Sequence, residues 1–207
     1  MRGSWIALEG GEGAGKSTQA RLLAGDLGAV LTREPGGTSV GRRIREVVLD
    51  ASVTTLDDRA EALLMAADRA QHVAEVVEPA LAAGRHVVSD RSAFSSLAYQ
   101  GYGRGLGVAD VEHLCSWATR GLWPDVAVLL HVPPETGLGR LQRSPDRVEG
   151  ADRAFHLRVT EGFRALAGAD PARWLEVDAT GTVEQVAARV SDAVRAWMAS
   201  RSAGQPA

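Results

Sequence analysis

A chain of 207 residues, 45% hydrophobic and 24% charged, is long enough for one well-buried core and too short for several large domains. Its formal charge of −3 supplies no global attraction to nucleic acid or to an anionic membrane surface. Its single cysteine, Cys115, excludes an internal disulfide framework or a cysteine-rich metal site and reads as a small buried apolar residue. No stretch reaches the length of a membrane span, and the charged "LEGGEG" arrives too early for a signal peptide, so a cytoplasmic protein is expected.

The first apolar run, "SWIAL" (4–8), predicts a strand buried on both faces. It runs directly into "GGEGAGKS", Gly10 to Ser17, which matches G-x-x-x-x-G-K-[ST] without a gap, and a helical pattern over 16–26 follows. Strand, loop and helix in that order form a phosphate cradle. Glycines let backbone N–H groups turn inward, and the helix N-terminus adds partial positive charge. The loop therefore predicts a bound nucleoside triphosphate, with Gly10, Gly11, Glu12, Gly13, Ala14, Gly15, Lys16, Ser17 and Thr18 around it. Lys16 would bridge the outer phosphates and the Ser17 hydroxyl would ligate Mg2+. Glu12 is the anomaly, a carboxylate inside a loop built for anions.

Further along, "GAVLT" (28–32), "RHVVSD" (85–90), "VAVLLHV" (126–132) and "RWLEVD" (173–178) predict four more buried strands. Helical patterns fall between them at 39–49, 57–83, 108–120, 135–143, 151–167 and 182–199, the last marked by Val183, Val186, Val190, Val194 and Trp197. This alternation predicts an α/β three-layer sandwich of the P-loop type, with a parallel sheet of about five strands. One domain over 1–199 is expected, with "GYGRGLG" (101–107) and "QRSPDRVEGAD" (142–152) as mobile loops, the second a short lid, and a frayed tail at 200–207. The third strand ends in Asp90-Arg91, at the end of the sheet where ligands sit in open α/β folds. Asp90 could join the metal shell and Arg91 could clamp a phosphate. The chain contains no N-K-x-D segment of the kind that reads guanine, which argues against a GTPase.

Taken together, "EGGEGAGKST", "TREPGGT" (32–38), "EALLMAADRAQHV" (61–73), "SDRSAFSSLAYQGYGRG" (89–105), "LHVPPETGLGRL" (130–141), "DRVE" (146–149) and "WLEVDAT" (174–180) resemble the thymidylate kinase family. The likeness covers nearly the whole chain and implies ATP and dTMP as substrates, magnesium as cofactor, and a homodimer formed through the helices at 57–83 and their neighbours. It also implies roles. Glu12 would face the acceptor sugar rather than the donor phosphates, and Pro35 would shape the pocket wall with Arg45 approaching from the next helix. Met65 would lie against thymine, Arg69, Ser96 and Gln100 would form the polar edge of the base site, and Tyr99 would exclude a ribose 2′-hydroxyl. Lys16 and Arg91 would act on the transferring group with lid arginines, drawn from Arg140, Arg143 and Arg147, Arg147 being the best match and Arg143 the next. The sequence departs from the family pattern at Met65, where an aromatic ring is usual, at Ser92, where a ring is common, and at His131, often Asp. The last two are expected in or near the phosphate site. Two other readings stay open: a kinase of this fold for another nucleoside monophosphate, and a catalytically weak nucleotide-binding protein.

Overall fold

The computed structural model describes residues 2–140 and 144–203. Five strands form one wholly parallel sheet: β1 (Trp5–Glu9), β2 (Val30–Arg33), β3 (Val87–Asp90), β4 (Val126–His131) and β5 (Trp174–Asp178), in the order β2-β3-β1-β4-β5. The central strand pairs Leu8 with Asp90 on one side and Glu9 with Leu129 on the other. Its C-terminal end therefore delivers the phosphate loop between the ends of β3 and β4.

Strand periodicity divides the core. Ile6, Leu8, Val88, Val126, Val128 and Leu130 point to the face covered by helices α1 (Lys16–Leu27) and α9 (Val183–Ala203), where they meet Leu23, Val186, Val190 and Val194. The alternate residues Ala127, Leu129 and Trp174 turn to the opposite face. There they pack with Phe94, Leu97 and Tyr99 and with Phe155, Val159 and Phe163 of α8 (Arg153–Ala169). A third apolar cluster joins Trp5 and Val87 to Val73, Val77 and Leu81. The Trp5 indole, wholly buried, donates to Ser89 Oγ at 2.8 Å, so its one polar atom is satisfied.

Side chains cap the helices around the site. Thr38 accepts from Gly41 N at the start of α2 (Ser39–Leu49), Asp57 from Arg59 N and Ala60 N at α3 (Asp58–His72), and Asp152 from Phe155 N at α8. Each such cap contributes about 1 kcal/mol.

Three expectations of local structure need correction. The helix predicted over 57–83 is α3 followed by a wider π-helical turn at Val73–Val77 and then α4 (Glu78–Ala82). The segment predicted as a loop from residue 101 is helical at its start. Helix α5 (Ala93–Ser96) continues through a π-helical stretch, Leu97–Gly103, before α6 (Val108–Thr119). Its glycines serve close packing, not mobility. A Cβ on Gly103 would stand 2.7 Å from the Phe155 ring, and one on Gly101 3.3 Å from the Val108 backbone. The short α7 (Pro134–Gly139) takes the place of the helix predicted over 135–143, whose last three residues lie outside the described residues.

Candidate active site

The loop from Gly10 to Gly15 turns sharply because three of its glycines adopt positive φ: Gly10 at 140°, Gly13 at 66° and Gly15 at 89°. Gly13 also admits a close neighbour. A Cβ there would stand 1.8 Å from the Gly137 carbonyl oxygen, and a Cβ on Gly137 would stand 2.2 Å from the Glu12 carbonyl oxygen. The loop and α7 thus meet backbone to backbone, a contact that any side chain at either position would displace. Gly137 was not singled out from the sequence, because nothing local marks a glycine that serves a distant loop.

Lys16 opens α1, is 7% exposed, and donates to the Gly11 carbonyl at 2.6 Å. Burial, followed by the nearby Arg91 charge, lowers its pKa to about 8. The Ser17 hydroxyl donates to Asp90 at the end of β3. A hydroxyl and a carboxylate meeting beside a phosphate loop form the hard oxygen set that suits Mg2+. Among the described residues no group of three or more His, Cys, Asp or Glu could hold a metal.

Arg91 follows Asp90 in a left-handed conformation, φ 71°, which is strained for a residue with a Cβ. Its Nη2 donates to Glu12 Oε1 at 2.8 Å, and its Nη1 donates to Gly10 O at 3.4 Å and Ser95 Oγ at 3.3 Å. The Tyr99 hydroxyl donates to the same Glu12 oxygen at 2.5 Å, and the Arg91 guanidinium lies 4.8 Å from the centre of the Tyr99 ring. Burial raises the Glu12 pKa, but Arg91, Lys16 and the Tyr99 hydroxyl outweigh it and hold it at about 2. The acid in the loop is therefore a stable carboxylate bound to Arg91 and Tyr99. Its anomaly disappears once its side chain is seen to engage the neighbouring strand's arginine.

One cavity of about 520 Å³ runs over the loop. Sheet order divides it. Elements that follow β2 and β3 contribute Pro35, Arg45, Met65, Asp90, Arg91, Ser95, Tyr99 and Gln100, and those that follow β4 and β5 contribute Arg140, Ala179, Thr182, Val183 and Val186. Glu12, Lys16 and Ser17 lie between. Arg45 Nη1 donates to the Pro35 carbonyl at 2.9 Å, and the Glu34–Pro35 peptide is cis. Gln100 Nε2 donates to Glu61 at 2.8 Å, while Gln100 Oε1 is buried with no protein partner.

At several positions the geometry differs from the sequence expectation. Arg69 and Ser96 do not line the cavity. Arg69 is fully buried, with Nε donating to Glu34 at 2.7 Å, Nη2 to Ser92 O at 3.1 Å, and Nη1 to Ser96 Oγ at 3.2 Å and Cys115 Sγ at 3.3 Å. Four of its five N–H donors are thus engaged by protein acceptors. Arg147 is turned from the loop: its side chain donates to Glu61 at 2.6 Å and to Val48 O at 2.8 Å, fastening the lid to α2 and α3. Arg143 lies outside the described residues. Arg140 is the lid-side cation at the loop, with Nη1 3.4 Å from Gly13 O and 3.3 Å from Ala179 O. Ser92 and His131 stand near the phosphate loop without lining this cavity. Ser92 donates to Glu9, and His131 pairs with Glu176 at 2.5 Å and faces a second cavity of about 500 Å³ behind the loop.

Sequence reasoning also passed over the acids that organise the acceptor side. Glu34 holds Arg69 and His72, the latter at 2.8 Å, and the other ring nitrogen of His72 meets Thr32 Oγ1 at 2.7 Å. Glu61 binds Gln100, Arg104 and Arg147. Asp68 accepts from Gly36 N at 2.9 Å, and burial raises its pKa to about 6.

A phosphate loop at the end of a central parallel strand, an Asp-Arg pair on the neighbouring strand, and a cavity spanning both define a P-loop nucleotide-binding protein built for phosphoryl transfer. Comparison with known proteins agrees and narrows the class. The family model for thymidylate kinase matches residues 8–190. The chain is 46% identical to the thymidylate kinase of a Synechococcus species over 97% of its own length and 98% of that protein's. It is 48% identical to that of Deinococcus radiodurans, covering 93% of this chain and 97% of the relative. The crystal structure of thymidylate kinase from Ehrlichia chaffeensis superposes with a TM-score of 0.78 at 27% identity, covering 94% of this chain and all of that one. The chain belongs to the thymidylate kinase family.

Proposed function

We propose that the cavity holds ATP on its β4–β5 side and dTMP on its β2–β3 side, with the phosphate loop between them. The activity is that of a thymidylate kinase: the γ-phosphoryl of ATP passes to dTMP, giving dTDP and ADP. An oxygen of the dTMP phosphate forms the new P–O bond as the bond to the bridging β,γ oxygen breaks, and that oxygen leaves with ADP. Such transfer asks the protein for positioning and positive charge more than for covalent chemistry. The observation that carries the assignment is the pair of cations, Lys16 at the start of α1 and Arg91 just after β3, lining one cavity together with Glu12.

Within this reading, Lys16 serves the donor phosphates and Arg91 the group in transfer. Arg140 adds charge from the lid side, while Arg147 anchors the lid. Ser17 and Asp90 would hold magnesium, which supplies charge neutralisation on the phosphates when bound. Met65, 7% exposed in the cavity wall, and Gln100 face the thymine, with Pro35 and Arg45 closing that end. The whole is one catalytic domain over 1–199 with its lid at 142–152. Its setting is cytoplasmic, and among the described residues no helix is long and apolar enough to cross a membrane.

Tyr99 is the sugar gate. Its ring is held edge-on by Phe155 and Phe163, each with centroids 6.1 Å away, and its hydroxyl is fixed on Glu12. A ring so constrained cannot move aside for a 2′-hydroxyl. Tyr99→Phe keeps the ring and should keep the preference for dTMP over its ribose counterpart. Tyr99→Ala should lower the ratio of the two kcat/KM values, measured below the variant's melting temperature because truncating a buried aromatic costs about 3–5 kcal/mol. An unchanged ratio in Tyr99→Ala would return Tyr99 to a packing role.

The protein acts as a homodimer. Helices α3 and α6 pack together and expose Leu63 (59%) and Trp117 (82%), large apolar side chains that a monomer would leave in water. Trp117→Arg should shift the molar mass in light scattering from two chains to one at micromolar concentration. A wild-type protein that runs as a monomer would overturn the assignment.

A further inference from the structure

Glu9 is the last residue of β1 and is wholly buried. Among the described residues no cation lies within 4 Å of it to form an ion pair. Its two oxygens instead accept from two hydroxyls, Ser92 at 2.6 Å and Ser95 at 2.6 Å. Burying a carboxylate without an ion-pair partner is costly. The cost shows in the Glu9 pKa, which burial raises to about 7 against the pull of both hydroxyls and of the Arg91 and Lys16 charges. A neutral side chain would fill the position more cheaply if packing alone were at stake.

We propose that Glu9 is a positioning residue for phosphoryl transfer, acting on Arg91 through Ser95. The chain of contacts is short and directional. The Ser95 hydroxyl donates to Glu9 Oε2, which turns the lone pairs of Ser95 Oγ toward Arg91 Nη1, 3.3 Å away. On the other oxygen, the Ser92 hydroxyl donates to Glu9 while Ser92 Oγ accepts from Phe94 N, the N-cap of α5. Glu9 therefore ties the first turn after Arg91 to the strand that carries the phosphate loop, and Arg91 N donates to Leu8 O at 3.0 Å on that same strand. An arginine held at φ 71° needs such support from outside its own backbone. A neutral side chain at position 9 is a weaker acceptor, so it holds the Ser95 hydroxyl, and through it the guanidinium, less firmly.

This inference rests on the reading of Arg91 as the cation of the group in transfer, and a double-mutant cycle on the full-length enzyme separates the two. Glu9→Gln keeps the shape of the side chain and removes the charge. It should lower kcat about tenfold in the wild-type background, with the KM values for ATP and dTMP each changing less than about twofold. In the Arg91→Ala background the same substitution should lower kcat no further, because the group it positions is gone. Ser95→Ala cuts the link from the other end. It should reproduce the kcat loss, and combined with Glu9→Gln it should add little. If Glu9→Gln lowers kcat by the same factor with and without Arg91, or raises KM while leaving kcat intact, Glu9 does not act through Arg91 and the proposal is overturned. If Arg91→Ala alone turns over like the wild type, the reading of Arg91 fails and the proposal falls with it.

Discussion

Lys16→Ala and Arg91→Ala are each expected to lower kcat by about two orders of magnitude or more, as removal of a preorganised donor at a developing charge does. Both side chains are held at the cavity by protein contacts. Lys16 is drawn into the loop by the Gly11 carbonyl, and Arg91 is fixed by Glu12, Gly10 and Ser95. Such contacts restrict where the two charges can lie, which is why the loss of either should appear in turnover. The two substitutions differ in their second effect. Arg91→Ala removes the largest of the charges that hold the Glu12 carboxylate down and leaves it the Tyr99 hydroxyl and the Lys16 charge, so the Glu12 pKa should climb from about 2 toward the ordinary carboxylate range. Circular dichroism should show both variants folded, and coupled measurement of ADP release gives kcat. Turnover within threefold of wild type in either variant would remove that residue from the mechanism.

Glu34→Ala should be the most destabilising single change on the acceptor side, by about 3–5 kcal/mol, the cost of stripping one partner from a buried ion pair. Glu34 is 2% exposed and its carboxylate holds both Arg69 Nε and His72 Nδ1. Removing it leaves the Arg69 charge at 0% exposure with only neutral partners: Ser92 O, Ser96 Oγ and Cys115 Sγ. For a domain of this size a loss of that order lowers the melting temperature by about 10 °C. Thermal unfolding monitored at 222 nm tests it. A shift below about 2 °C would show that Arg69 finds water or another acceptor, and that the network is not what fixes Pro35 and the wall of the acceptor site.

These two expectations mark where sequence and structure divide the work. The phosphate loop could be read directly because its chemistry is local: glycines, lysine and serine act within eight consecutive residues, and the strand and helix on either side follow from hydrophobic periodicity. The sheet was equally readable, since strands buried on both faces leave near-continuous apolar runs such as "VAVLLHV". The acceptor side was not, for a different physical reason. Arg69 sits on a helix at a spacing compatible with pointing at a ligand, and nothing in that spacing reveals that Glu34, 35 residues earlier, has taken its guanidinium. Glu61 and Asp68 likewise look like surface acids on an ordinary helix. Only the packing of α3 beneath α5 and the lid turns them into buried anchors. The glycines at 101 and 103 carry the same lesson, since a glycine that admits an aromatic ring and one that frees a loop are identical in sequence. The resemblance named most of the residues around the cavity, but it could not say which of its arginines are free for a ligand.

The central claim is that one cavity brings ATP and dTMP together for phosphoryl transfer, and it is tested most directly by the initial rate of ADP release with ATP and magnesium across a panel of acceptors: dTMP, dUMP, UMP, AMP, GMP and CMP. The account predicts the highest kcat/KM for dTMP. A preference for AMP or GMP, or no stimulation of ADP release by any acceptor, would contradict it.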